Sequence, residues 1–97
     1  MTKGANRSAG PTLPEPIIVD QFWANRRGES IRVQLSEYEG RLIVDVRKHF
    51  TNGEGKLQAT RKGLALAVIR LPDLARAINK ALAKARELGL VADGAQP

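Results

Sequence analysis

Cysteine is absent from the 97 residues, and there is a single histidine. The first absence excludes a disulfide scaffold and any thiolate metal site. The second excludes a multi-histidine metal centre within one chain. No apolar run approaches the roughly 18 residues that a membrane span needs. The first 16 residues lack the apolar core of a secretory signal, so a soluble, intracellular protein is expected. No G-x-S-x-G, P-loop or paired acid–base cluster is present. An enzyme is therefore not expected, nor is any cofactor. Aromatics are scarce, limited to Phe22, Trp23, Tyr38 and Phe50.

What the chain does have is positive charge. Sixteen Lys and Arg stand against ten Asp and Glu, a net +6. Such an excess asks for a polyanionic partner, and nucleic acid is the default. The charge is unevenly placed. Residues 26–62 hold nine basic and five acidic groups, and residues 70–88 hold five and two. All four aromatics precede the second segment.

The length fits one small domain. Residues 1–16 are rich in Gly, Pro, Ser, Asn and Thr and cannot bury enough apolar area to offset their ordering entropy. They read as a disordered tail, and residues 91–97 read the same way. The domain then spans 17–90. A domain this small buries only about 60% of its unfolded surface, and oligomerisation is a common remedy.

The centre has the period of β structure. Ile31, Val33 and Leu35 alternate with Arg32, Gln34 and Ser36. After a turn at Glu39-Gly40, Leu42, Val44 and Val46 alternate with Arg41, Ile43, Asp45 and Arg47, the second arm of a hairpin. Asn52-Gly53 marks a further reversal. A short strand over 56–60 and a separate one over 64–69 are expected next. The continuous apolar run of the latter suggests burial on both faces. Residues 17–23 form a possible leading strand. Leu71, Leu74, Ile78, Leu82, Ala85 and Leu88 recur at helical spacing. Pro72 and Asp73 suit the helix start, and Gly89 suits its stop. The fold class is α+β: an antiparallel sheet followed by one helix. One helix can cover only one sheet face, so the other must meet solvent, a partner chain or a ligand.

Basic groups interleaved with aromatics on a sheet suit single-stranded nucleic acid. Cations hold phosphates, and unstacked bases lie on aromatic faces. The plain alternative is that the charges are a solvated face and the aromatics are core. Trp23 has both readings, stacking platform or core and interface anchor. Arg26 and Arg27 could clamp phosphate or be solvated loop. His49 lacks the oriented partner a catalytic base needs, so a solvated or locally bonded imidazole is expected.

From Leu35 onward the sequence LSEYEGRLIVDVRKHF, then NGEG, then TRKGLAL, resembles the C-terminal domain of the positive cofactor four transcriptional coactivators. The resemblance spans about 31–85. It implies a strongly curved four-stranded antiparallel sheet followed by a C-terminal helix, and a homodimer formed through helices and strand ends. It implies binding of single-stranded DNA, largely without sequence preference, in transcription, replication or repair. Tyr38 falls where the family has a base-stacking aromatic, and Phe50 where eukaryotic members have a stacking tryptophan. Arg41, Arg47, Arg61 and Lys62 fall on DNA-contacting basic positions. Gly40 and Gly63 match glycines of turns or close approach, and Asp45 matches an acid that holds Arg47 or nearby backbone. Glu39 and Gln58 depart from common basic positions and weaken the local field. The expected nucleic-acid-binding set is thus Trp23, Arg26, Arg27, Tyr38, Arg41, Arg47, Lys48, Phe50, Arg61 and Lys62. Leu71, Leu74, Ile78 and Leu82 are the expected dimer contacts. The expected location is the cytoplasm, at a bacterial nucleoid. Two other readings remain open: an adaptor that recruits transcription or repair proteins through its basic helix face, and an RNA-binding module.

Overall fold

A computed structural model describes residues 12–91. Four strands form one antiparallel sheet in sequence order: β1 (Ile17–Trp23), β2 (Glu29–Tyr38), β3 (Arg41–Thr51) and β4 (Leu57–Ala67). A short 3₁₀ turn, Val68–Arg70, leads into helix α1, Leu71–Glu87. Neighbours in sequence are neighbours in the sheet, so every connection is a short reversal. Of the two expected tails, residues 1–11 and 92–97 lie outside the described residues. Leu13, on the tail side of the boundary at 16, donates its backbone N–H to Glu37 Oε1 at 2.9 Å.

The turns follow their residues. Glu39 and Gly40 both have positive φ, 52° and 79°. That is the two-residue hairpin turn whose twist matches the flanking strands. The β3–β4 reversal is built on Asn52, whose Oδ1 accepts from the N–H groups of Glu54 and Lys56 at 2.8 and 3.0 Å. The helix ends as its sequence predicts. Gly89 sits at φ 75°, with Leu90 N–H donating to Ala85 O and Gly89 N–H to Arg86 O. These two bonds form the Schellman closure.

Two expectations change. The segments at 56–60 and 64–69 are one strand, β4, not two. Its register with β3 passes from Arg47↔Gly63 to His49↔Ala59, so four steps on β4 match two on β3. Residues 60–62 stand against the single Lys48 and bulge out, and this bulge, not a strand break, accounts for the polar Thr60-Arg61-Lys62 interruption. Nor is the apolar run after it buried on both faces. Leu64 is exposed, and Ile69 lies outside the strand in the 3₁₀ turn and is exposed too.

The core is very small. Val44 is the one buried hydrophobic among the described residues. The helix buries none of its residues, and Ile78 is 59% exposed. The radius of gyration is 16.9 Å, against about 12–13 Å for a compact chain of this length. The expectation that the helix covers one sheet face is therefore not met by a single chain.

Candidate nucleic-acid interface

Directly paired residues of an antiparallel sheet project from the same face. The register therefore sorts every side chain. One face carries Ile31, Val33 and Leu35 of β2, Leu42, Val44 and Val46 of β3, and Leu64 and Leu66 of β4. The other carries Arg32, Gln34, Ser36 and Tyr38, paired in turn with Arg47, Asp45, Ile43 and Arg41. Beyond these lie Gly63, Ala65 and Ala67 on β4, and Gln21 and Trp23 on β1. The first face is apolar. The second is basic, flanked by small residues, and has an aromatic at each end.

Tyr38 stands at the hairpin tip, 63% exposed, with Arg41 opposite. The tight turn behind it leaves the ring nothing to pack under. In mid-face, Arg32 and Arg47 are direct cross-strand partners. Like charges so placed are destabilising unless an anion lies over them. Asp45 relieves the clash on one side. It accepts from Arg47 Nε at 3.1 Å and Nη2 at 2.9 Å, while Arg47 Nη1 donates to Thr60 O at 3.1 Å. Hydrogen bonding to Asp45, then its charge, pushes the Arg47 guanidinium further above its ordinary value. Arg32 Nε donates only to the neutral Gln21 Oε1, at 2.9 Å, so its charge stays uncompensated.

Gly63 opposite Arg47 is required by space. A Cβ there would lie 2.4 Å from Val46 O and 2.7 Å from Arg47 Cα. The bulge just before it is stapled by Thr60, whose Oγ1 donates to Lys48 O at 2.8 Å and accepts from Lys62 N–H at 3.1 Å. It holds Arg61 and Lys62 out at the sheet edge, exposed.

The remaining expected residues separate from this face. Lys48 pairs with Ile31, on the apolar face, and its Nζ lies 3.5 Å from Glu29 Oε1. Phe50 is on the same pleat as Lys48, at the far end of β3, 39% exposed. Trp23 is on the basic face, at the end opposite Tyr38, 64% exposed. Arg26 and Arg27 lie in the loop after it. Arg27 reaches Glu29 Oε1 at 3.3 Å. Glu29 also accepts from Asn25 Nδ2 at 2.6 Å. Asn25 first, then Arg27 and Lys48, hold the Glu29 carboxyl down at about 2. His49 is 7% exposed, with Nδ1 3.3 Å from Arg47 O, so it is locally bonded and buried rather than solvated. Arg32 was missing from the expected set. Counting back from Tyr38 in steps of two reaches it, so alternation carried the signal.

Among the described residues no group of three or more His, Cys, Asp or Glu could hold a metal ion. Among them, too, no helix is long and apolar enough to cross a membrane. The basic sheet face with its aromatic ends is open rather than an enclosed pocket. The family model for Transcriptional Coactivator p15 (PC4) matches residues 25–77, and the chain belongs to that family. Two solved structures share the fold. A PC4 homolog from Burkholderia pseudomallei K96243 is 21% identical with a TM-score of 0.63, over 73% of this chain and 95% of that one. The bacteriophage T5 homolog of the eukaryotic coactivator PC4, implicated in recombination-dependent DNA replication, is 21% identical with a TM-score of 0.55, over 77% and 83%. A search of the curated proteins gave no match.

Proposed function

We propose that this protein is a homodimeric single-stranded DNA-binding protein, largely indifferent to sequence, that acts in transcription or in DNA replication or repair. One observation carries the reading: the direct Arg32–Arg47 pair, set on the same face as the exposed Tyr38. Two arginines on neighbouring strands of one face can both reach a phosphate that lies over the sheet, by charge-assisted hydrogen bonds. An exposed phenol ring beside them offers a face to an unstacked base, worth about 1–3 kcal/mol. A duplex hides its base faces and gains only the phosphate part.

The contacting set is Arg32, Tyr38, Arg41 and Arg47, with Arg61 and Lys62 along the bulged edge. Phe50 projects from the opposite face and stands outside this set. Lys48, neutralised by Glu29, adds less. The dimer follows from exposure. The apolar sheet face is only partly covered by its own chain, and of the helix stripe Leu71 and Leu74 are half-buried while Ile78 and Leu82 are exposed; a second copy has the matching surface. Family membership and the phage homolog's link to replication are consistent with this reading.

Titration of oligo-dT and of duplex of equal length, each at two salt concentrations, tests it. Preference for the single strand at both salts is expected. Equal affinity for the two forms would overturn it.

A further inference from the structure

We propose that the concavity beside Trp23 is a second base-binding station, holding one nucleobase and its phosphate where a single strand runs off the far end of the basic face. This rests on the single-strand reading above and adds a site to it. The concavity measures about 440 Å³ and is lined by Trp23, Asn25, Arg26 and Gly28. It offers two chemistries side by side.

The first is a flat aromatic face. Trp23 ends β1 on the same pleat as Arg32 and Tyr38, and nearly two thirds of it is exposed. Indole is the largest stacking surface a protein has, and leaving it in water is costly unless something covers it. The second is a free cation. Arg27 is engaged by Glu29, but Arg26 has no hydrogen-bond or ion-pair partner among the described residues. A planar apolar wall beside an uncompensated guanidinium matches a base followed by its phosphate. It does not match an apolar peptide, which would strand the charge.

The loop that shapes the station is already fixed. Ala24 N–H donates to Glu29 O at 2.8 Å, closing the loop across its base. Gly28 O accepts from Thr51 N–H at 3.0 Å and from Thr51 Oγ1 at 2.9 Å. Asn25 Oδ1 accepts from Arg27 N–H at 2.8 Å. Gly28 sits at φ 86° with Thr51 against the place a Cβ would occupy. A preset loop loses little entropy on binding.

Spacing gives the station a function. Trp23 pairs with Ser30, eight residues along β2 from Tyr38. Eight steps of strand span about 27 Å. At the 3.4 Å rise of a stacked strand, at most about eight nucleotides cover that distance, and an unstacked strand needs fewer. Short oligonucleotides therefore reach one station, and longer ones reach both. Trp23 sets the length of DNA that one chain occupies.

Trp23 is the chain's single tryptophan, so its emission reports on this station alone. The test titrates the full chain with labelled dT4 and dT20, reading label anisotropy and tryptophan emission together. We expect dT20 to bind more tightly and to quench Trp23. Trp23→Ala should lower dT20 affinity about 5- to 150-fold, the stacking of one base, and Trp23→Phe should restore most of it. Arg26→Gln should flatten the salt dependence of dT20 binding. Tight dT20 binding with unchanged Trp23 emission would overturn the station, as would unchanged dT20 affinity in Trp23→Ala. So would a change of oligomeric mass in that variant, which would make Trp23 a contact between copies. Failure of both oligonucleotides to bind at all would instead remove the single-strand reading itself, and the station with it.

Discussion

The two faces of the sheet are cut from the same four strands and differ by one step of register. On β2, Arg32, Gln34, Ser36 and Tyr38 face one way, and Ile31, Val33 and Leu35 the other. The first face has unpaired charge and an aromatic in water. The second has aliphatic side chains that the lone chain covers only in part: Val44 is buried, most of its neighbours are half-buried and Leu64 is exposed. Both are unsatisfied, but they call for different partners. Charge and rings call for a polyanion with exposed bases. Aliphatic surface calls for more aliphatic surface, which a second copy supplies in the proposed dimer. In the proposed reading, period-two alternation divides binding from assembly on one sheet without a second layer.

The sharpest way to break the comparison is to break the sheet that both faces share. Gly63→Ala puts a Cβ against Val46 O and Arg47 Cα, and backbone cannot yield as a side-chain tip does. A loss of about 2–4 kcal/mol is expected, read by chemical denaturation, with both binding and assembly lost. Next comes the apolar side alone. Ile78→Asp together with Leu82→Asp should convert the dimer to monomer in a mass measurement. It should also lower the melting temperature, since burial of each such side chain is worth about 1.5–3 kcal/mol. The basic face stays intact in sequence.

Changes on the basic face should act the other way round. Tyr38→Ala should weaken oligo-dT binding by about 1–3 kcal/mol while leaving the salt slope and the oligomeric mass as they were. Arg32→Gln should lower the slope of log affinity against log salt by about 0.7, one phosphate contact on a single strand. It should also slightly stabilise the free protein by relieving the Arg32–Arg47 repulsion.

The smallest effect lies in the loop at the sheet's end. Glu29 is ionised in the fold down to a pH of about 2, below its unfolded value. A depressed carboxyl stabilises above its unfolded value of about 4.3, and that contribution fades as pH falls toward 2. Glu29→Gln should therefore be less stable than the parent at neutral pH, with the two denaturation curves converging near pH 2. A gap that widens in acid would contradict the assignment.

Much of this was legible in the residues. Alternation from Ile31 to Arg47 placed both strands of the central hairpin, and Glu39-Gly40 placed the turn between them. The helix was bounded by Pro72 and Gly89. The β4 bulge was not legible, because Arg61 and Lys62 look like a break in apolar pattern whether the strand ends or swells. The exposure of Leu64 was not legible either. An apolar run says what a segment should meet, not whether its own chain provides it. Of the candidate site, Tyr38, Arg41 and Arg47 were named through the family resemblance, and the register puts all three on one face. Phe50 and Lys48 looked equivalent to them in sequence, but an even-numbered position on β3 projects from the other pleat. Alternation with Tyr38 already put Arg32 on this face; only its pairing with Arg47 needed the cross-strand register.

Photo-cross-linking tests the division of labour most directly. Iodouracil-substituted single-stranded DNA would be irradiated with the full chain and the attached residues mapped by mass spectrometry. Cross-links at Tyr38, with Phe22 on the apolar face unlabelled, are the predicted result. Cross-links at Phe22 with Tyr38 untouched would put the DNA on the face assigned to the second copy and contradict the account.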